Sequence, residues 1–328
     1  MKRFLTVAVI TTIAIGGPST AKTTLQAKVP GPDGQIAFAR RVGEASPDIF
    51  IANPDGSHVQ QVPLEEPAES FAIPVWSPDR TTLLISHLDR GENVPLEFPP
   101  ATVKPDGSDF NIIVAHAEGS DVTDCPAWSA NGARLLCDIG GFQGVPPGVG
   151  SIRSSDGGGF RRLTTNPYGT SDIPTDISPD GSRFVFMRFR LGGHPFKTQR
   201  AAIFVANVDG TGVRRVTPFG LPFPHFEFAT AQWSPDGQEI ISQTRHGVLF
   251  VVHLDGTGIT MIPLETGSPF YFAFEPDWSP DGSQIVFGMF IGGQEDLYTA
   301  NADGSDVVRI TNTPKKLEVA PDWGPPLA

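Results

Sequence analysis

One phrase, Trp-Ser-Pro-Asp-Gly followed by an alternating apolar run, returns along this chain at a near-constant interval. A sequence with such a period folds as repeated copies of one small unit. The phrase stands at Trp76-Ser-Pro-Asp-Arg80, Trp128-Ser-Ala-Asn-Gly132, Ile177-Ser-Pro-Asp-Gly181, Trp233-Ser-Pro-Asp-Gly237 and Trp278-Ser-Pro-Asp-Gly282. A truncated copy, Pro321-Asp-Trp-Gly324, closes the sequence, and successive copies lie 52, 49, 56, 45 and 45 residues apart. A second phrase, Asn-x-Asp-Gly-Ser/Thr, follows each first one, as at Asn53 to Ser57, Asn207 to Thr211 and Asn301 to Ser305.

Each unit therefore reads as four short strands and two tight turns. In Ser-Pro-Asp-Gly, proline presets φ, aspartate suits the next position, and glycine accepts the left-handed conformation that follows. Runs such as Arg183-Phe-Val-Phe186 and Gln284-Ile-Val-Phe287 alternate with period two, which argues strand and not helix. A four-stranded unit of this length, repeated six times, is the signature of a β-propeller. The expected fold is all-β: six four-stranded antiparallel blades in a ring. The Trp or Ile ending each first strand is expected to pack between blades.

The phase of the repeat predicts how the ring closes. The first copy begins at Gly31-Pro-Asp-Gly34 and Gln35-Ile-Ala-Phe38, with no Trp strand before it. The missing strand stands at the other end, in Val319-Ala-Pro-Asp-Trp323, so the C-terminal segment is expected to complete blade 1. Such a clasp also covers open strand edges. Gly- and Pro-rich insertions at Asp89 to Pro100, Gly140 to Gly150 and Leu191 to Arg200 fall between second and third strands, and Phe219 to Phe228 joins blades 4 and 5. These loops are where recognition is expected.

The chain starts with a positive pair, Lys2 and Arg3, then an uncharged apolar run from Phe4 to Gly17, then Ser19-Thr20-Ala21. That order reads as a cleavable signal peptide over residues 1–21. The apolar run is shorter than the ~20 residues a membrane span requires, and no later segment is long enough. A tail over 22–30 and one propeller domain over 31–328 complete the expected organisation. The formal net charge of −12 excludes nucleic acid as a partner and disfavours anionic lipid.

The Trp-Ser-Pro-Asp-Gly plus Asn-x-Asp-Gly unit resembles the TolB-type propeller repeat, a relative of the WD-type repeats, over residues 31 to 324. The resemblance implies an extracytoplasmic protein, periplasmic or secreted, that meets a protein or peptide partner through its loop faces and central funnel. It differs from TolB proteins in the α/β domain they carry before the propeller, since nine residues intervene here. The propeller of the prolyl oligopeptidase family is also similar. That family needs a hydrolase domain with a Gly-x-Ser-x-Gly elbow, which this sequence lacks.

Candidate chemistry is sparse. Cys125 and Cys137 flank the Trp128-to-Gly132 hairpin, where antiparallel pairing places them opposite one another. They fit a disulfide or two buried thiols. Asp124, Asp176, Glu275, Asp277 and Asp322 gather on the first strands, which line the axial channel of a propeller. They are candidate ligand-binding residues of the funnel, suited to Ca²⁺ or another hard cation, or else solvated channel residues. His194, His225 and Glu227 fall in the loops of blades 4 and 5 and are rim candidates for an acid/base or metal site. The aromatic stretches at Phe219 to Phe223, Phe226 to Phe228 and Phe270 to Phe274 pack blade edges or supply a contact patch. The expected function is a binding scaffold without catalytic residues. The alternative is a propeller enzyme (a lactonase, lyase or hydrolase) with a metal at the funnel.

Overall fold

A computed structural model describes residues 34–42, 47–64, 71–87, 100–114, 121–140, 146–190, 200–221, 230–255 and 257–324. The expected signal peptide and tail lie outside them. The unit Pro32–Ala328 holds all the strands described.

Why the chain forms short strands is visible at its turns. In Ser234-Pro-Asp-Gly237 the Ser234 hydroxyl donates to Asp236 Oδ1 at 2.6 Å and accepts from the Glu239 amide at 2.9 Å. The Gly237 amide donates to the Ser234 carbonyl at 2.8 Å, and Gly237 itself sits at φ +71°. The turn thus satisfies its own polar groups and reverses the chain. The same contacts recur at Ser178 and Ser279.

Among the described residues there are twenty-four strands, no helix, and six four-stranded antiparallel sheets. Blade 1 contains β1 (Ile36–Val42), β2 (Asp48–Ala52) and β3 (Gln60–Gln61). Blade 2 is β4 (Phe71–Trp76), β5 (Leu83–His87), β6 (Ala101–Val103) and β7 (Asn111–Ile112). Blade 3 is β8 (Asp121–Trp128), β9 (Arg134–Gly140), β10 (Gly148–Arg153) and β11 (Arg161–Arg162). Blade 4 is β12 (Thr170–Ile177), β13 (Arg183–Arg190), β14 (Arg200–Asn207) and β15 (Arg214–Arg215). Blade 5 is β16 (Gln232–Trp233), β17 (Glu239–Gln243), β18 (Leu249–His253) and β19 (Gly258–Ile262). Blade 6 is β20 (Phe272–Trp278), β21 (Gln284–Ile291), β22 (Gln294–Asn301) and β23 (Val308–Arg309). The last strand, β24 (Lys316–Trp323), joins blade 1 in the order β24-β1-β2-β3.

The expected closure is borne out. Trp323 stands opposite Ile36 and Lys316 opposite Val42, and the Gly324 amide donates to the Gln35 carbonyl at 3.0 Å. A buried ion pair reinforces the clasp: Arg40 of β1 donates to Glu318 of β24 at 2.6 Å. The Arg40 guanidinium also lies 4.2 Å from the centroid of the Phe50 ring, so its charge is paired on one side and stacked on the other.

The cores lie between blades. Six apolar clusters appear among the described residues, one for each pair of neighbouring blades. The pair of blades 6 and 1 is joined by Val286, Leu297 and Ile310 from one side and Ile36, Phe38, Ala52 and Trp323 from the other. All five tryptophans are buried in these seams.

One expectation is corrected. Gly140 to Gly150 reads as a loop by composition, yet Gly140 ends β9 and Gly148 to Gly150 begin β10. Glycine is required there by close approach: a Cβ on Gly150 would lie 2.8 Å from both Ile139 Cδ1 and Phe160 Cε2. Residues 88–99, 191–199 and 222–229, which hold most of the other insertions, lie outside the described residues.

Candidate functional site

The carboxylates singled out in the sequence sit near the ends of the first strands, beside the seam residues. Each first strand there carries an irregularity in pairing, between Pro174 and Asp176 in β12 and between Phe274 and Asp277 in β20. At the bulges Glu275 and Ala320 take φ values of +51° and +52°. The bulge turns the following aspartate toward the next blade.

The result is a set of staples between blades. Asp176 accepts from the Ile177 amide at 2.6 Å through Oδ1 and from the Trp233 amide of blade 5 at 2.8 Å through Oδ2. Asp277 accepts from the Trp278 amide at 2.8 Å and from the Trp323 amide of blade 1 at 2.7 Å. Asp322 accepts from the Trp76 amide of blade 2 at 2.8 Å. Glu275 Oε2 accepts from the Ala320 amide at 2.5 Å. Asp124 accepts from the Cys125 amide at 2.8 Å.

Burial sets the chemistry of these groups. It pushes the Asp176 and Glu275 carboxyls up to about 8, and the negative charges of Asp277 beside Asp176 and of Glu295 beside Glu275 add to the rise. Asp277 and Asp322 are raised by burial as well, and Asp322 also by its proximity to Asp277 and Asp176. Three aspartates therefore feel one another across the centre of the ring. Asp176 and Asp277 spend both oxygens on backbone amides and Asp322 one of its two, and among the described residues no group of three or more His, Cys, Asp or Glu is placed to hold a metal ion.

The turn aspartates behave in the opposite way. Exposed Asp180 is held down to about 2 by hydrogen bonds from the Ser178 and Ser182 hydroxyls and the Ser182 amide. Its oxygens serve the turn, as do those of Asp209 and Asp303. Cys125 and Cys137 are placed as a disulfide, with sulfurs 2.04 Å and Cα atoms 3.9 Å apart. His194, His225 and Glu227 lie outside the described residues.

Strand direction sorts the loops by face. Every Ser-Pro-Asp-Gly and Asn-x-Asp-Gly turn lies on one face of the ring. The connections from second to third strands and from each blade to the next lie on the other. On that second face Tyr168 is fully exposed and Phe270 is 83 % exposed. Tyr168 precedes β12 and Phe270 precedes β20, while Phe290 stands half exposed near the end of β21. Sequence reasoning singled out Phe270 but not Tyr168. It also missed the arginines of blade 4, described below, whose signal is the pair Arg188 and Arg190 with the twin Arg214-Arg215.

The architecture defines the class: a six-bladed β-propeller closed by its C-terminal strand. Within that class the fold is TolB-like. TolB from Acinetobacter baumannii superposes with a TM-score of 0.64 at 19% identity, over 89% of this chain and 67% of that one. A putative TolB from Agrobacterium tumefaciens gives 0.60 at 18% identity, over 85% and 89%. A chain of a nidogen/laminin complex gives 0.59 at 10% identity, over 88% and 97%. At such identities the likeness is one of fold. No family model matches the chain, and no curated protein matches it in sequence.

Proposed function

We propose that this chain is an exported binding scaffold, a TolB-like propeller that docks a protein or peptide partner on its loop face. The observation that carries the reading is the pair of exposed aromatics, Tyr168 and Phe270, on that face of the ring. Aromatic side chains held out in water on a rigid frame are the anchors of protein interfaces. The opposite face is made of short turns whose serine, threonine and aspartate groups hydrogen-bond within the turn. Export is supported by the Lys2, Arg3 and Phe4 to Gly17 order of the N-terminus and by the placement of Cys125 and Cys137 as a disulfide, a bond that persists in oxidising compartments. A nidogen/laminin complex contains a propeller of this fold, and the same use suits the surface described here.

The test is cross-linking and capture from cell-envelope extract with wild type and the Tyr168→Ala/Phe270→Ala variant. We expect the variant to lose capture of a specific partner by about tenfold or more, the scale of losing interface anchors, with an unchanged thermal midpoint. Equal capture by both forms would contradict the reading. So would a stoichiometric metal in the purified protein together with turnover of a small substrate.

A further inference from the structure

We infer that the outer edge of blade 4, where it meets the loop face, is a docking surface for an acidic segment of a protein partner. The inference rests on the scaffold reading and gives the partner its chemistry. It starts from a charge anomaly. The chain carries a net charge of −12, yet between residues 183 and 215 six arginines stand against one carboxylate, Asp209. That carboxylate is occupied in its own turn by the Thr211 amide and hydroxyl. Arg188 is neutralised by Asp172, which it meets through Nε and Nη2 at 2.6 Å each.

Three of the remaining arginines converge. Arg190 of β13 stands directly opposite Arg200 of β14, and Arg215 of β15 stands opposite Phe204. Strand alternation places all three on the side of the sheet that bears Phe204. The Arg190 guanidinium lies 3.8 Å from the centroid of the Phe219 ring, and that of Arg215 lies 5.6 Å from the same ring. All three arginines are exposed. None has an ion-pair partner among the described residues.

Like charges directly across a ladder weaken it, and two cations on one ring repel each other. Among the described residues no carboxylate offsets this. A carboxylate placed between the guanidinium groups reverses the sign of the interaction. Contact with the Phe219 ring positions the two guanidinium groups without using their N–H donors, which bidentate carboxylate recognition requires. Tyr168 belongs to the same surface: it leads into Thr170, which stands opposite Arg190 in the ladder. Arginine and tyrosine are the residue types that dominate protein interfaces. Charge also selects the occupant. An extended polyanion would run from this sector over the acidic remainder of the molecule and be repelled there. A short acidic stretch of a protein touches only the basic sector.

The experiment uses the mature chain with a labelled peptide rich in Glu and Tyr, followed by fluorescence anisotropy. We expect saturable binding that weakens about tenfold in Arg200→Gln and again in Arg200→Gln/Arg215→Gln, as for charge-assisted contacts. We expect it to weaken by roughly tenfold as salt rises from ~50 to ~200 mM. Arg245→Gln, an exposed arginine of blade 5 on the same face, should leave affinity unchanged. Arg200 is outside the Phe219 stack, so its variant does not put folding in question. Absence of saturable peptide binding overturns the inference. So does an affinity unchanged in the double variant, or tighter binding of an oligouronate of matched charge. If the double variant still captures the partner that Tyr168→Ala/Phe270→Ala loses, the acidic-segment inference fails and the scaffold reading stands.

Discussion

Glu275 shows how a residue that looks like a ligand can serve the frame. Its carboxyl is buried and accepts the Ala320 amide of the closing strand. Burial, with Glu295 nearby, raises it to about 8. A group raised in the folded state contributes stability that is complete below its ordinary value near 4 and is lost as pH climbs through the raised value. Asp176 shifts the same way for the same first cause. Unfolding free energy is therefore expected to fall between about pH 4 and pH 8. Glu275→Gln keeps the acceptor and removes the charge. It should remove up to about 1.4 kcal/mol per pH unit from that slope, measured by urea unfolding at a series of pH values; an unchanged slope would refute the assignment. The acidic set at the ends of the first strands was legible in the sequence. Its partners were not, because a one-residue bulge decides whether the aspartate faces the channel or the neighbouring amide.

At the scale of elements, two glycine turns per blade do different work. The first closes a hairpin within the blade. The second also packs on the blade before it: a Cβ on Gly210 would lie 1.9 Å from the Leu163 carbonyl oxygen, and one on Gly56 would lie 2.1 Å from that of Ile310. Gly210→Ala should cost roughly 3 kcal/mol or more, from left-handed strain plus the clash. Gly220 has a similar φ of +96° but nothing within 4 Å, so Gly220→Ala should cost only about 1–2 kcal/mol. Thermal or urea midpoints of the two variants check this, and equal losses would contradict it. The turns and strands of every blade could be read from the period, since their polar contacts are local. The Gly148 to Gly150 strand could not, because Gly150 answers to Phe160 and Ile139 and Gly148 to the Thr164 carbonyl, which only the register brings near. The Arg190, Arg200 and Arg215 group was hidden for the same reason: its members come together only once β13, β14 and β15 are aligned.

For the molecule as a whole, stability is distributed over six seams, and none of them belongs to a single blade. A blade alone leaves both apolar faces in water, so the ring must close before every blade has both faces covered. The last seam joins residues more than two hundred positions apart, Trp323 with Ile36 and Phe38, and it is sealed by Arg40 with Glu318. The binding proposed for the loop face depends on this closure, because Tyr168 and Phe270 stand on connections between blades and the arginines on β13, β14 and β15 of a blade that its neighbours hold in place. The most direct test is residue-resolved hydrogen exchange on the intact chain across Ile36–Arg40 and Leu317–Trp323. We expect both stretches to exchange only through global unfolding, with the denaturant dependence of the centre of β21. Early exchange of Leu317–Trp323, or edge-strand behaviour of Ile36–Arg40, would contradict the closed ring.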